Sequence, residues 1–403
     1  MSTDRTTPST RGAASTSRAA SDRTSVVFLV HRPDYAGGTE RATFLVTGAL
    51  AHHPRLDVSI VGLERTAAEP FFADDVRVPL TTLVDIRDPD VERQPSALVE
   101  HDWQSDFSTA TDTALAEWFD RVRPDIVVAT TPGLLAVADL LAPATTRIVD
   151  VEHRSSAARG GSGVPLHRHG PSADALVSLS EEGTDWWRAE LGDGRVDGPV
   201  LATIPNPLPL QSAPRSALRR PVVFAAGRMV RSKQFDVIVE AFARARRDGW
   251  RLRVVGEGPD AGRVRATVRR LGVCDHVDLI SSLPDLSTEL AKASIHVMAS
   301  RAEGQPLVAM EAQRAGVPVV AYDCPGGTSS IVTHGRNGLL VELDDLDALA
   351  AALRTLIDDV ELRQRMGAAA WVDRHRFAPD LVARQWADLL LDLASRPSRR
   401  SLR

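Results

Sequence analysis

The chain has 403 residues, of which 43% are hydrophobic and 25% charged, values ordinary for a globular protein and long enough for two domains of roughly 150 to 200 residues. No apolar run approaches the roughly 20 residues of a spanning helix, and residues 1–24 lack the apolar core of a secretory signal, so a cytoplasmic site of action is expected. Two cysteines, Cys274 and Cys324, with no ligand-spaced His or Cys nearby, argue against a disulfide framework and a zinc site.

The net charge of −5 conceals an asymmetry. Residues 25–205 hold 15 Arg against 28 acidic residues, and residues 206–403 hold 29 basic against 23 acidic. The first half should repel polyanions, so nucleic acid is not an expected partner, whereas the second could hold a phosphorylated ligand. Lys233 and Lys292 are the only lysines beside 46 arginines.

Residues 1–24, rich in Ser, Thr, Ala and Arg without apolar periodicity, read as a disordered arm. Short apolar runs then alternate with helical patterns: 25–30, 58–63, 125–129, 147–151 and 175–178 read as buried parallel strands. After the first strand, Ala42, Leu45, Val46, Ala49 and Leu50 keep helical spacing behind Thr39, an expected N-cap. Residues 64–110 carry no assignable pattern and could be an insertion near an acceptor site. A linker with five prolines spans 204–221, after which strands are expected at 222–226, 251–255, 276–280, 295–299 and 317–321, with a helix at 235–246. This predicts a second α/β domain. Residues 379–395 form an amphipathic pattern, and the basic tail 396–403 reads as disordered. The expected divisions are 1–24, 25–205, 206–378, 379–395 and 396–403.

The segment SRAEGQPLVAMEA carries the strongest chemical signal. A strand ends, a loop of Glu303, Gly304 and Gln305 follows, and Pro306 is expected to open a helix. Free amides and the macrodipole make such a helix end an anion site, so a diphosphate could sit across residues 304–308. Glu311 lies about five residues into the helix, roughly 7.5 Å along its axis, while Glu303 stays on the loop. Two carboxylates flanking a phosphate cradle suit sugar hydroxyls on either side of a diphosphate. Arg228 and Lys233, between a strand and a helix, supply the counter-charge, with Arg231 a candidate third. Taken singly, each of these charges could equally be ordinary protein surface.

GRMVRSK (227–233), VVGEGP (254–259), EGQPLVAME (303–311) and GRNGLLV (335–341) together resemble glycosyltransferase family 4, retaining enzymes of the GT-B fold. The resemblance implies two facing Rossmann-like domains with a C-terminal helix crossing back to the first. It implies that Arg228 and Lys233 hold a diphosphate, Glu311 the ribose and Glu303 the donor sugar, with the amides of Leu307 and Val308 on phosphate. It further implies that Gly37 and Gly38 of YAGGTER approach the donor and that His153 lies near its sugar, although the glycines could be a mere turn and the histidine structural.

Departures from the family pattern are Gln234, where glycine commonly follows the lysine, and Thr328, Ser329 and Ser330 after Gly326 and Gly327. Asp88-Pro89-Asp90 and Asp345-Leu346-Asp347 mimic a metal-binding pair but follow no convincing strand, so no metal and no cofactor are expected. The expected partners are a nucleotide-sugar donor and a hydroxyl acceptor, lipid-linked or polymeric, with peripheral membrane contact through the tail an option. The rival readings are a nucleotide-sugar epimerase, which would need no acceptor, and a catalytically silent sugar-nucleotide or glycan-binding protein.

Overall fold

The computed structural model describes residues 23–99, 107–154, 159, 163–192, 198–210 and 214–402. The expected arm, apart from its last two residues, lies outside them. The first strands are β1 (Thr24–Val30), β2 (Leu56–Arg65), β3 (Leu80–Asp85), β4 (Ile126–Ala129), β5 (Arg147–Glu152), β6 (Ala175–Ser178) and β7 (Val200–Thr203). They form one parallel sheet in the order β3-β2-β1-β4-β5-β6-β7. Beyond the linker come β8 (Val222–Ala226), β9 (Arg251–Val255), β10 (Val277–Ile280), β11 (Ile295–Met298), β12 (Val319–Tyr322) and β13 (Gly338–Val341). These make a second parallel sheet, β10-β9-β8-β11-β12-β13.

Both sheets are doubly wound α/β layers, buried on both faces as the continuous apolar strands require. Each strand order reverses once, between β1 and β4 in the first sheet and between β8 and β11 in the second. Ligands of open parallel sheets bind outside the strand C-termini at such reversals. The loops leaving β1, β8 and β11 carry YAGGTER, GRMVRSK and AEGQP, so topology alone gathers the three motifs.

The strands absent from the sequence reading, β3, β7 and β13, are all sheet edges. Their residues are largely half-buried rather than continuously apolar. Two cap expectations are corrected. The helix after β1 runs Gly38–Leu50 with Gly37 as N-cap, so Thr39 lies inside its first turn. Pro306 is itself the N-cap of helix Leu307–Arg314, one position before the expected first turn.

Helix Pro379–Ala394 packs into the core of the first domain, as the resemblance implies. Trp386, 1% exposed, meets Phe28 of β1 edge-on at 5.7 Å. The tail departs from the expected disorder, because its peptide and guanidinium groups find fixed partners. Arg147 donates to the Arg396 carbonyl at 2.9 Å, the Arg399 amide donates to Asp174 at 2.7 Å, and the Arg400 guanidinium donates to the carbonyls of Asp139 and Ala142. No helix among the described residues is long and apolar enough to cross a membrane.

Trp386→Ala should destabilise the first domain by about 3–5 kcal/mol through lost burial and a cavity. Urea denaturation followed by circular dichroism would measure it, and an unchanged midpoint would contradict the packing described.

Candidate active site

The site forms where the two switch points face each other. In the second domain, the loop after β8 is locked against the loop after β9: the Gly227 amide donates to Val255 at 3.0 Å and the Met229 amide to Glu257 at 2.7 Å. A Cβ on Gly256 would lie 2.0 Å from the Gly227 carbonyl oxygen, and one on Gly258 2.4 Å from that of Met229. Both glycines have φ near +150°, a backbone open to glycine alone. This clamp, formed by two of the family-like motifs, fixes the base of Arg228.

Arg228 reaches across the cleft and donates to the Tyr35 hydroxyl, with its guanidinium 5.6 Å from that ring. Lys233 Nζ pairs with Glu303, whose side chain is 8% exposed. Gln234 takes the left-handed conformation, φ 48° and ψ 47°, which explains why glycine suits this position in the family pattern. Arg228, Lys233 and Glu303 thus converge beside the N-terminus of helix Leu307–Arg314. The amides of Leu307 and Val308 precede the first intrahelical bonds, in which Ala309 and Met310 donate to Pro306.

From the first domain, Gly37 and Gly38 open the helix after β1. A Cβ on Gly38 would meet nothing within 4 Å, so its backbone borders open space. The Glu40 carboxylate folds back over Gly37, occupying the place a Cβ would need. Burial pushes the Glu40 carboxyl up to about 7, against the pull of Arg228 and Arg32.

His153 follows β5. Its Nε2 is buried and has no hydrogen-bond partner, and burial, aided by Arg159, pushes its pKa down to about 3, so the ring stays neutral. Its carbonyl oxygen lies 2.1 Å from where a Cβ on Gly304 would stand. The two domains meet at that point because residue 304 has no side chain. Gln305 is engaged by its side chain, which accepts from the Asn206 amide of the linker at 2.6 Å and donates to the Leu179 carbonyl of the first domain at 3.5 Å.

Glu311 is buried, and Arg41 of the first domain pairs with it at 3.0 Å. Arg41 also donates to Asp75 at 3.0 Å and lies 5.0 Å from the Phe72 ring centre. Sequence reasoning gave Glu40, Arg41 and Asp75 no role. A signal existed, since Glu40 and Arg41 are adjacent charges opening an otherwise apolar helix. Asp345 and Asp347 are structurally occupied: the first caps helix Leu346–Asp358 and the second pairs with Arg244. Among the described residues no group of three or more His, Cys, Asp or Glu is placed to hold a metal ion.

The fold and this cleft define a GT-B protein, two facing Rossmann-like domains with a shared C-terminal helix. Residues 211–371 match the family Glycosyl transferases group 1. Over 390 residues it is 36% identical to an exopolysaccharide phosphotransferase of Streptomyces coelicolor, covering 92% of this chain and 41% of that protein. The chain therefore spans less than half the length of that relative. It is 23% identical to the amylovoran biosynthesis glycosyltransferase AmsD of Erwinia amylovora, over 91% of this chain and 99% of that one. Among solved structures, the pneumococcal O-GlcNAc transferase GtfA in complex with UDP and GlcNAc superposes with a TM-score of 0.76 at 14% identity, over 92% and 99% of the two chains. HepE of Anabaena in complex with UDP-glucose gives 0.73 at 18%, over 92% and 100%. At these identities the structural likeness establishes the fold.

Arg41→Ala removes the guanidinium paired directly with both Glu311 and Asp75, leaving Arg314 as the further cation acting on them, and should cost about 3–5 kcal/mol, read from denaturant midpoints. The double variant Arg41→Met, Glu311→Gln should recover much of that loss. For Glu40, the folded carboxyl holds its proton to a higher pH than the unfolded one, whose value is 4.5. Its contribution is full below pH 4.5 and is lost as pH rises through about 7. Glu40→Gln should therefore gain on the wild type by roughly 3 kcal/mol between pH 4.5 and 8, and parallel stability–pH curves for the two proteins would refute the assignment.

Proposed function

We propose that the protein is a retaining, family 4 glycosyltransferase that moves a sugar from a nucleoside diphosphate sugar to a hydroxyl acceptor in the assembly of a cell-surface glycan or glycolipid. The observation that carries this reading is the convergence of Arg228, Lys233 and Glu303 at the N-terminus of helix Leu307–Arg314, in a cleft walled by His153 and the glycine turn. The group 1 domain and the relative named for amylovoran biosynthesis support it, and the neighbours solved with UDP or UDP-glucose support a nucleotide-sugar donor.

In this reading the diphosphate exchanges with the internal partners of the cations. Arg228 turns from Tyr35, and Lys233 from Glu303, onto the phosphates, while the helix amides take a phosphate oxygen. Glu303, released from Lys233, accepts from donor-sugar hydroxyls, and Glu311 accepts from ribose once Arg41 yields to it. As the glycosidic bond to phosphate breaks, negative charge builds on the leaving group where two cations and a helix dipole already point. The acceptor hydroxyl attacks the same face of the sugar, and its proton passes to the departing phosphate oxygen. Neutral His153 offers the sugar a hydrogen bond without adding charge. No metal is required in this scheme, since the cations present neutralise the diphosphate. The reaction would take place in the cytoplasm, on a lipid-linked or polymeric acceptor, the former reached at the membrane face.

Thermal-shift screening against UDP-, GDP- and ADP-sugars tests donor binding, with one nucleotide class expected to raise the melting temperature. Lys233→Ala should lower turnover with that donor by at least about 100-fold, on the scale of losing one charge-stabilising group. Glu303→Gln should impair transfer as well. Unchanged turnover in Lys233→Ala would remove the diphosphate role.

A further inference from the structure

Between the domains, beside the cleft of the donor residues, lies a cavity of about 150 Å³. Its walls include Glu152, Arg154, Ser178, Glu182 and Trp186 of the first domain and Gly304 of the second. None of the four charged groups assigned to the donor, Arg228, Lys233, Glu303 and Glu311, lines it. Because Gly304 directly follows Glu303, the cavity nevertheless abuts the place where a donor sugar would react.

The sequence shapes this space in a particular way. Ser178 ends β6 and is 2% exposed, yet its hydroxyl has no hydrogen-bond partner. A buried hydroxyl without a partner costs about 1–3 kcal/mol, a cost that a ligand hydroxyl would relieve. Gly183, in the first turn of Glu181–Leu191, also lines the cavity, and a Cβ there would stand 3.2 Å from the Ser178 oxygen and 3.0 Å from its Cβ. The missing side chain keeps that hydroxyl clear.

The remaining walls are held rigid. Ser180 Oγ donates to the Gly326 carbonyl at 2.7 Å, and the Gly326 amide donates to Glu182 at 3.1 Å. Trp186 is fixed edge-on between Trp187, 4.8 Å away, and His167, 5.4 Å away. The Glu152 charge is met by Arg159, so Glu182 and Arg154 leave the lining balanced. A balanced pocket with two carboxylates, a guanidinium, a free hydroxyl and an indole suits a neutral ring bearing many hydroxyls. Carboxylates accept from hydroxyls, arginine donates to them, and an apolar ring face packs on the indole. A cavity of about 150 Å³ is also the size that takes a single six-membered ring.

We infer that this cavity is a monosaccharide subsite, holding one pyranose ring of a neutral glycan acceptor next to the reaction centre. The inference deepens the proposed function and rests on it for the word acceptor. The binding of a sugar ring can be measured without it.

The test is saturation-transfer NMR on the full chain with the methyl α-glycosides of glucose, galactose, mannose and N-acetylglucosamine. At least one is expected to receive saturation, with the signal reduced at least threefold in Ser178→Ala and abolished in Gly183→Val. Ser178→Ala should be as stable as the wild type or more so, because it removes an unpaired buried hydroxyl. A structural role for Ser178 would instead lower the melting temperature and leave the signal intact. If Gly183→Val fails to fold, Trp186→Ala provides the second reading, with the same loss expected. The subsite is refuted if no glycoside receives saturation, or if the signal survives the variants. Displacement of the glycoside by the wild type's own nucleotide sugar would overturn the acceptor assignment, since the ring would then be sitting in the donor's place. Failure of the proposed function would appear separately, as the absence of any thermal shift with nucleotide sugars on the wild type.

Discussion

The site depends on one backbone contact, the carbonyl of His153 against the α-carbon of Gly304. A side chain at 304 would have to overlap that oxygen, so the two switch points can approach only because the residue after Glu303 is glycine. The remaining interdomain contacts require that approach. Arg228 reaches Tyr35, Arg41 reaches Glu311, Gln305 reaches Leu179 and Ser180 reaches Gly326, each bonded across the cleft within hydrogen-bond or ion-pair range.

Within that space every charge assigned to a ligand already has an internal partner. Tyr35 holds Arg228, Glu303 holds Lys233 and Arg41 holds Glu311. Such pairing spares the two buried carboxylates, Glu303 and Glu311, the penalty of isolated charge, while Arg228 stays exposed and Lys233 partly so. It also sets the terms of recognition, because a ligand must offer a better partner to each member of a pair. A diphosphate flanked by polyhydroxyl rings does so, giving anionic oxygens to the cations and hydroxyl donors to the carboxylates.

Much of this was readable before the fold was known, and what was not has physical reasons. Strands buried on both faces announced themselves as continuous apolar runs, and 175–178, 222–226 and 251–255 begin and end where expected. The edge strands β3, β7 and β13 have one side partly open, so Thr and Gly dilute their pattern. Arg228, Lys233, Glu303, Gly304 and Glu311 stood out because glycine turns and a helix start surround them, and the fold does bring them to one cleft. Arg41 and Asp75 were harder to read, since the meaning of Arg41 lies in Glu311, about 270 residues away on the other domain, and that of Asp75 in Arg41, 34 residues away. The order of the tail was hidden for a similar reason: Arg399 and Arg400 serve carbonyls and a carboxylate that only the folded first domain presents.

Helix Pro379–Ala394 has a consequence for how the molecule is made. Its Trp386 and Leu390 complete the apolar core beneath β1, although nearly the whole second domain is translated between them. During synthesis, domains form as units from the N-terminus onward, yet here the first domain must wait with one core face uncovered until residues 379–394 leave the ribosome. The second domain's core is built from Leu208 to Phe377, so the first domain is sealed only after nearly all of the second domain's core residues have been translated.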